Sequence, residues 1–139
     1  MKSYELGYVP GAFDMFHIGH LNLLRRAKAQ CARLMVAVST DELVASFKKK
    51  RAVIPFGERV QIVEAIRFVD RVVPQESMDK LAAWRAYGFD AIFVGDDWKG
   101  SDTWRDIEAA LAPRGVSIVY FPYTTGTSST LLASKLSTL

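Results

Sequence analysis

A single cysteine, Cys31, stands among the 139 residues, and there are only two histidines, His17 and His20. One thiol cannot close an intrachain disulfide, and a cysteine-rich metal centre is excluded with it; both fit a reducing compartment. The plain reading of Cys31 is a buried thiol on the first helix. Long apolar runs are also missing, since none approaches the roughly 20 residues that a membrane span requires. The segment MKSYELGYVPGAF at the amino terminus lacks the apolar stretch and small-residue cleavage site of a secretory signal, so the cytoplasm is the expected location. No repeat, low-complexity stretch or Pro/Ser/Gly linker interrupts the chain, and residues 1–139 are expected to form one domain. Excess charge is scarce: 18 Lys and Arg against 15 Asp and Glu leave a formal +3. That balance suits a small phosphate-bearing ligand, whereas nucleic-acid binding calls for a denser basic face interleaved with aromatics.

Half of the residues are hydrophobic, enough for one substantial core at this length and more than a disordered chain carries. Short apolar runs rich in β-branched residues alternate with stretches of helical period. This is the pattern of an α/β fold, a single Rossmann-like domain of about five parallel strands with helices on both faces. Strands are expected at residues 6–13, 34–39, 71–73, 91–95 and 116–121. Leu21, Leu24, Lys28 and Cys31 fall on one side of a first helix, and Ile62, Ala65, Ile66 and Val69 form the apolar stripe of another. Further helices are expected at residues 78–87, 102–111 and 129–136. Such sheets bind ligands at the carboxyl ends of their strands, where strand order reverses. The segments to inspect are therefore GAFDMFHIGH, STDEL, VPQES, GDDWKGSD and PYTTGTSST.

No GxGxxG follows the first strand, so the dinucleotide fingerprint is missing. Gly11-Ala12-Phe13-Asp14-Met15-Phe16-His17-Ile18-Gly19-His20 stands there instead. Gly19 lets the backbone approach a phosphate closely. His17 and His20, three apart at a helix start, can point the same way where the helix end already favours anions. Two imidazoles so placed can hydrogen-bond a phosphate whose charge grows during phosphoryl transfer. A zinc site built on the same pair would need carboxylates to complete it. Lys48-Lys49-Lys50-Arg51 is a run of four cations in an expected loop that closes with Pro55 and Gly57; most such runs are solvated surface. Arg59 and Arg67, eight residues apart on one expected helix, differ in direction by about 80°. Both could face the site, or pair with Glu58 and Glu64. After the fourth strand, Asp96-Asp97-Trp98 could supply a carboxylate to a base amino group or to magnesium, with Trp98 walling the base; the alternative is a turn with Trp98 in the core. Thr124 to Thr130 offers hydroxyls and backbone NH groups at the start of the last helix, a second anion cradle.

These blocks resemble the HxGH nucleotidyltransferases, and within them the bacterial glycerol-3-phosphate cytidylyltransferases. The likeness runs through nearly the whole chain, from GAFDMFHIGH and its LLRRAK helix through VAVSTDE, the basic loop, GERVQIVEAIRFVDRVVP and VGDDWKG to TTGTSST. It implies transfer of CMP from CTP to a small phosphorylated alcohol, glycerol 3-phosphate first among them, with pyrophosphate leaving. It also implies Mg²⁺ carried by the triphosphate and a homodimer, with no nucleic acid or membrane involved. By the same resemblance His17, His20, Lys50 and Arg67 are catalytic, the imidazoles stabilising the pentavalent α-phosphate and Lys50 the departing pyrophosphate. Ala12, Phe13, Ile18, Gly19, Asp97, Thr124, Gly126, Ser128, Ser129 and Thr130 would bind the nucleotide. Asp14, Lys48 and Lys80 would bind the acceptor, although Lys80 read by itself is a helix-surface lysine. The chain departs from the pattern at three places: Tyr123 where an arginine is usual, Thr127 where an isoleucine is usual and Ala12 where a threonine is usual. Tyrosine can stack or hydrogen-bond but lacks the guanidinium charge. That leaves room for adenylyl transfer, for a choline, ethanolamine or sugar-alcohol phosphate as acceptor, and for a nucleotide-binding domain without turnover.

Overall fold

The computed structural model describes residues 2–48, 50–122, 132 and 134–136. Strands β1 (Tyr4–Gly11), β2 (Cys31–Ser39), β3 (Arg71–Gln75), β4 (Ala91–Gly95) and β5 (Ser117–Phe121) form one sheet in the order β3-β2-β1-β4-β5. Every neighbouring pair is parallel, as the alternation of strands and helices requires. The helices between them are α1 (Ile18–Gln30), α2 (Asp41–Lys48), α3 (Phe56–Glu64), α4 (Lys80–Tyr87) and α5 (Asp102–Leu111). No helix among the described residues is long and apolar enough to cross a membrane.

Alternate residues of the central strands feed two separate cores. Val9, Val36 and Phe93 pack with Leu24 and Ala27 of α1 and Val63 of α3. Tyr8, Met35 and Ile92 point the other way, onto Trp104 and Leu111 of α5. Burial on both faces is why these strands read as continuous apolar runs. Packing is closest at Gly7, where a Cβ would stand 2.6 Å from Phe93 Cε2 and 2.9 Å from Cys31 Sγ. Both neighbours are fully buried, so Gly7→Ala is expected to cost about 1–3 kcal/mol by overpacking. Urea unfolding checks this, and an unchanged midpoint would show that the core yields.

Several expectations are corrected by the structure. Cys31 opens β2 instead of closing α1; it is buried, but in a strand. β1 stops at Gly11, leaving Phe13 in the following loop. β3 runs on to Gln75 because Ser39 of β2 pairs with it. No helix was expected between β2 and the cation run, yet residues 41–48 form α2, which takes Lys48 out of the expected loop; its start is capped by Thr40 Oγ1 accepting from Leu43 N. α3 ends at Glu64, and its buried residues are Arg59 and Val63 while Ile62 is 43% exposed. Tight turns follow, with Ile66 N donating to Val63 O and Val69 N to Ile66 O, so Arg59 and Arg67 do not share a helix. Ile66 and Val69 still pack against the core from these turns. The helix expected at 129–136 lies largely outside the described residues; Leu132 and residues 134–136 are helical.

Candidate functional site

Strand order reverses between β1 and β4, and a cavity of about 810 Å³ opens over the carboxyl ends of the strands. Gly11, Ser39, Gln75, Gly95 and Phe121 line it, one from the end of each strand. This is where an open parallel sheet offers a crevice, and its size is at the upper end for small-molecule sites.

His17 and His20 meet at the start of α1. Nδ1 of His17 accepts from Gly19 N at 3.0 Å, while His17 N donates to Nδ1 of His20 at 3.1 Å. The two imidazoles thus form a reciprocal capping box in place of the usual serine and glutamate. Because both Nδ1 atoms accept, the hydrogen-bond pattern assigns the proton of each neutral ring to Nε2. The rings lie 3.9 Å apart between centroids and line the cavity. Burial holds the His17 pKa below its ordinary value. Burial, joined by the nearby His17 and Lys48, pushes His20 down to about 3 against an opposing pull from Asp14. At neutral pH the pair therefore presents N–H donors without needing to be charged.

That depression has a sign. A base whose pKa falls on folding binds fewer protons than the unfolded chain below about pH 6.5, so stability declines as pH drops from there. For His20 the window reaches down to about 3, and one proton gives a slope of up to about 1.4 kcal/mol per pH unit. Thermal melting between about pH 7.5 and 5 should show a falling Tm, and a shallower fall in His20→Gln. Equal slopes in the two proteins would contradict the assignment.

The loop that delivers His17 is strained, with Phe13 at φ 53° and Met15 at φ 50°, a region that bulky side chains avoid. Two anchors hold it. The Phe13 ring is buried in the core, and Asp14 accepts from Val53 N at 2.8 Å and from Ile54 N at 2.9 Å. Asp14, expected at the acceptor, thus turns its carboxylate to the segment after the basic run and does not line the cavity.

Arg59 is 1% exposed and ties the same parts together. Its Nε donates to Ile54 O at 2.8 Å, and its Nη1 to Ala12 O at 2.8 Å and Ser39 O at 2.7 Å. Nη2 pairs with Asp41 at 2.7 Å, and this hydrogen bond is the main reason the Asp41 carboxyl titrates below its usual range. The pairing with Glu58 or Glu64 considered from sequence is replaced by this Asp41 contact.

Of the other expected site residues, Ala12, Phe13, Gly19, Lys48, Lys80 and Asp97 line the cavity. Lys48 closes α2, and burial lowers its pKa. Lys80 is 3% exposed and no surface lysine. Asp97 folds back over Gly95, where a Cβ would stand 2.8 Å from Asp97 Oδ1. Trp98 walls the cavity while 51% exposed, so it is not core. Three residues lie elsewhere. Lys50 is exposed, Ile18 is 49% exposed, and Arg67 is exposed with its guanidinium 5.1 Å from the Phe68 ring centroid; none of them lines the cavity. Lys49, Tyr123, Thr124, Gly126, Thr127, Ser128, Ser129 and Thr130 fall outside the described residues. Sequence reasoning missed Ser39, Gln75, Trp104 and Arg26 as lining residues. Arg26 carries a usable signal, since it follows His20 and Leu23 at three-residue steps along one face of α1.

Comparison with known proteins decides what this arrangement belongs to. The family model described as cytidylyltransferase-like matches residues 8–136. The chain belongs to the cytidylyltransferase-like family. Among its relatives in that family, the glycerol-3-phosphate cytidylyltransferase of Bacillus subtilis (strain 168) is 36% identical over 131 residues, covering 93% of this chain and 95% of that protein. The enzyme of the same name from Staphylococcus aureus (strain NCTC 8325 / PS 47) is 32% identical over 127 residues, covering 91% and 90%. An ethanolamine-phosphate cytidylyltransferase of Arabidopsis thaliana is 34% identical over 140 residues, which is 93% of this chain but 31% of that longer protein. The fold is shared with the lipopolysaccharide core biosynthesis protein from Thermoplasma volcanium GSS1, at a TM-score of 0.72 and 20% identity over 89% of this chain and 99% of that one.

Proposed function

We propose that this cytidylyltransferase-like protein transfers CMP from CTP to glycerol 3-phosphate and releases pyrophosphate. The observation that carries the reading is the paired-imidazole cap facing the cavity, because it supplies neutral, fixed N–H donors at a helix end that favours anions. A phosphate oxygen of the acceptor attacks the α-phosphorus in line. One P–O bond forms, the bond to the β-phosphate oxygen breaks, and its electron pair leaves with pyrophosphate. A phosphate monoester is already largely ionised at pH 7, so no general base is needed. His17 and His20 stabilise the charge that gathers on the α-phosphate, and Lys48 and Lys80 hold the acceptor's phosphate. Catalysis is positioning plus charge stabilisation.

Asp97 is the carboxylate in the cavity lining. Magnesium needs only one or two carboxylates when phosphates and water complete its shell, so Asp97 together with the triphosphate suits it. When bound, the ion would neutralise phosphate charge. The acceptor is supported by two near-full-length relatives named for glycerol 3-phosphate. The relative named for ethanolamine phosphate favours a second reading, in which the acceptor is another phospho-alcohol.

The test is pyrophosphate release with Mg²⁺, crossing CTP, ATP, UTP and GTP against glycerol 3-phosphate, choline phosphate, ethanolamine phosphate and sugar-alcohol phosphates. Release that requires CTP and glycerol 3-phosphate together is the expected result. Strong turnover with another pair, or none with any, would replace the reading.

A further inference from the structure

Lys80 is buried, yet neither of its hydrogen-bond acceptors carries charge. Its Nζ donates to Gln75 Oε1 at 3.0 Å and to Met78 O at 3.3 Å. Gln75 is itself fixed, with Nε2 donating to Ser39 Oγ at 2.9 Å. Since a lysine ammonium can only donate, the amide oxygen must face Lys80 and the amide nitrogen must face Ser39. Ser39, Gln75 and Lys80 are 1%, 5% and 3% exposed, and all three line the cavity. Among the described residues, two N–H groups of the ammonium are taken by neutral oxygens, which leaves the third for a ligand.

We propose that Gln75 is a positioning residue for acceptor binding: its amide, locked by Ser39, aims the Lys80 ammonium into the cavity and leaves the whole of its charge to a phosphate dianion. This rests on the reading that places the acceptor's phosphate at Lys80. A neutral partner is what the task needs. A carboxylate at the same position would pair with Lys80 and cancel its charge, while an apolar side chain would leave the ammonium without its anchor in a buried place. The site thus selects acceptors that bring two negative charges.

The charged groups around the ammonium are few. Asp79, the N-cap immediately before α4, accepts from Ala82 N with Oδ1. Lys48 from α2 and Asp97 after β4 line the same cavity, and the Trp104 ring of α5 lies 5.8 Å away. Burial lowers the Lys80 pKa to about 8, with Asp79 opposing. Affinity for the acceptor should therefore weaken as pH rises past about 8.

Gln75→Glu and Gln75→Leu test the proposal in the full chain. KM for glycerol 3-phosphate should rise about ten- to a hundredfold in both, the range set by a hydrogen bond to a charged group. The rise in acceptor KM should exceed any change in kcat or in KM for CTP, because the hydrogen bonds of the Gln75 side chain go to Ser39 and Lys80 and not to either imidazole. The alkaline limb of kcat/KM should move up in pH for the glutamate variant, whose ion pair holds the proton, and down for the leucine variant. Titration of the Lys80 Cε resonance in the ligand-free protein should follow the order Leu below Gln below Glu. If the leucine variant fails to fold, the near-isosteric glutamate variant decides alone. An unchanged acceptor KM and alkaline limb, while Lys80→Ala raises that KM, would reduce Gln75 to packing. Should the wild-type protein not use glycerol 3-phosphate at all, the function reading fails; the ligand-free titration still judges Gln75, and an unmoved Lys80 resonance would overturn it.

Discussion

Replacing His17 by alanine is expected to lower kcat by about 10²- to 10³-fold, the usual cost of removing one fixed donor from a developing oxyanion. The same change removes the N-cap of α1, because His17 Nδ1 accepts from Gly19 N; about 1 kcal/mol of stability should go with it. His17→Asn separates the two effects. Asparagine is a good N-cap and can accept from Gly19 N, yet it carries no Nε2–H. Its Tm should therefore stay near that of the wild type while kcat falls as far as in the alanine variant. Steady-state kinetics and thermal melting on the three proteins check this. An asparagine variant that retained turnover would show that the ring contributes only its cap.

The second large effect is on stability. Arg59→Met is expected to cost about 3–5 kcal/mol, a large share of the 5–15 kcal/mol that holds a typical domain together (roughly). The loss comes mainly from the carbonyls of Ala12, Ser39 and Ile54, which all depend on this guanidinium. The ion pair itself is a minor part, since Asp41 is 49% exposed at its side chain and water screens such pairs. Asp41→Asn should accordingly cost less than about 1 kcal/mol. Urea unfolding of both variants distinguishes the two sources; equal losses would assign the energy to the ion pair. Because Ile54 and Ala12 flank the basic segment and the histidine loop, turnover should fall in Arg59→Met even at temperatures where it remains folded.

Legibility in the sequence followed the range of the interactions involved. β4 and α5 fall at the expected bounds, since an apolar run between turn signals and a serine cap with an apolar stripe are local features. The histidine pair was legible for the same reason: its cap is made within four residues. α2 was hidden because eight residues carry little periodicity and its last residue belongs to a run of cations. Arg59 was read as a surface or site-facing arginine because arginine is rarely buried. Its partners at 12, 39, 41 and 54 come together only in the fold. Gln75 and Ser39 meet through the register of two parallel strands, a relation that no spacing along the chain encodes. Asp14 sits inside the recognised motif, yet its carboxylate binds backbone amides 39 and 40 residues away. A motif indicates which segment approaches the chemistry more surely than what each of its side chains touches.

The most direct test follows the label from [α-³²P]CTP in the presence of glycerol 3-phosphate and Mg²⁺. Direct in-line transfer predicts label in CDP-glycerol, one pyrophosphate released for each product formed, and none bound to the protein. Label that remains in CTP, or that appears as CMP without CDP-glycerol, would contradict the account.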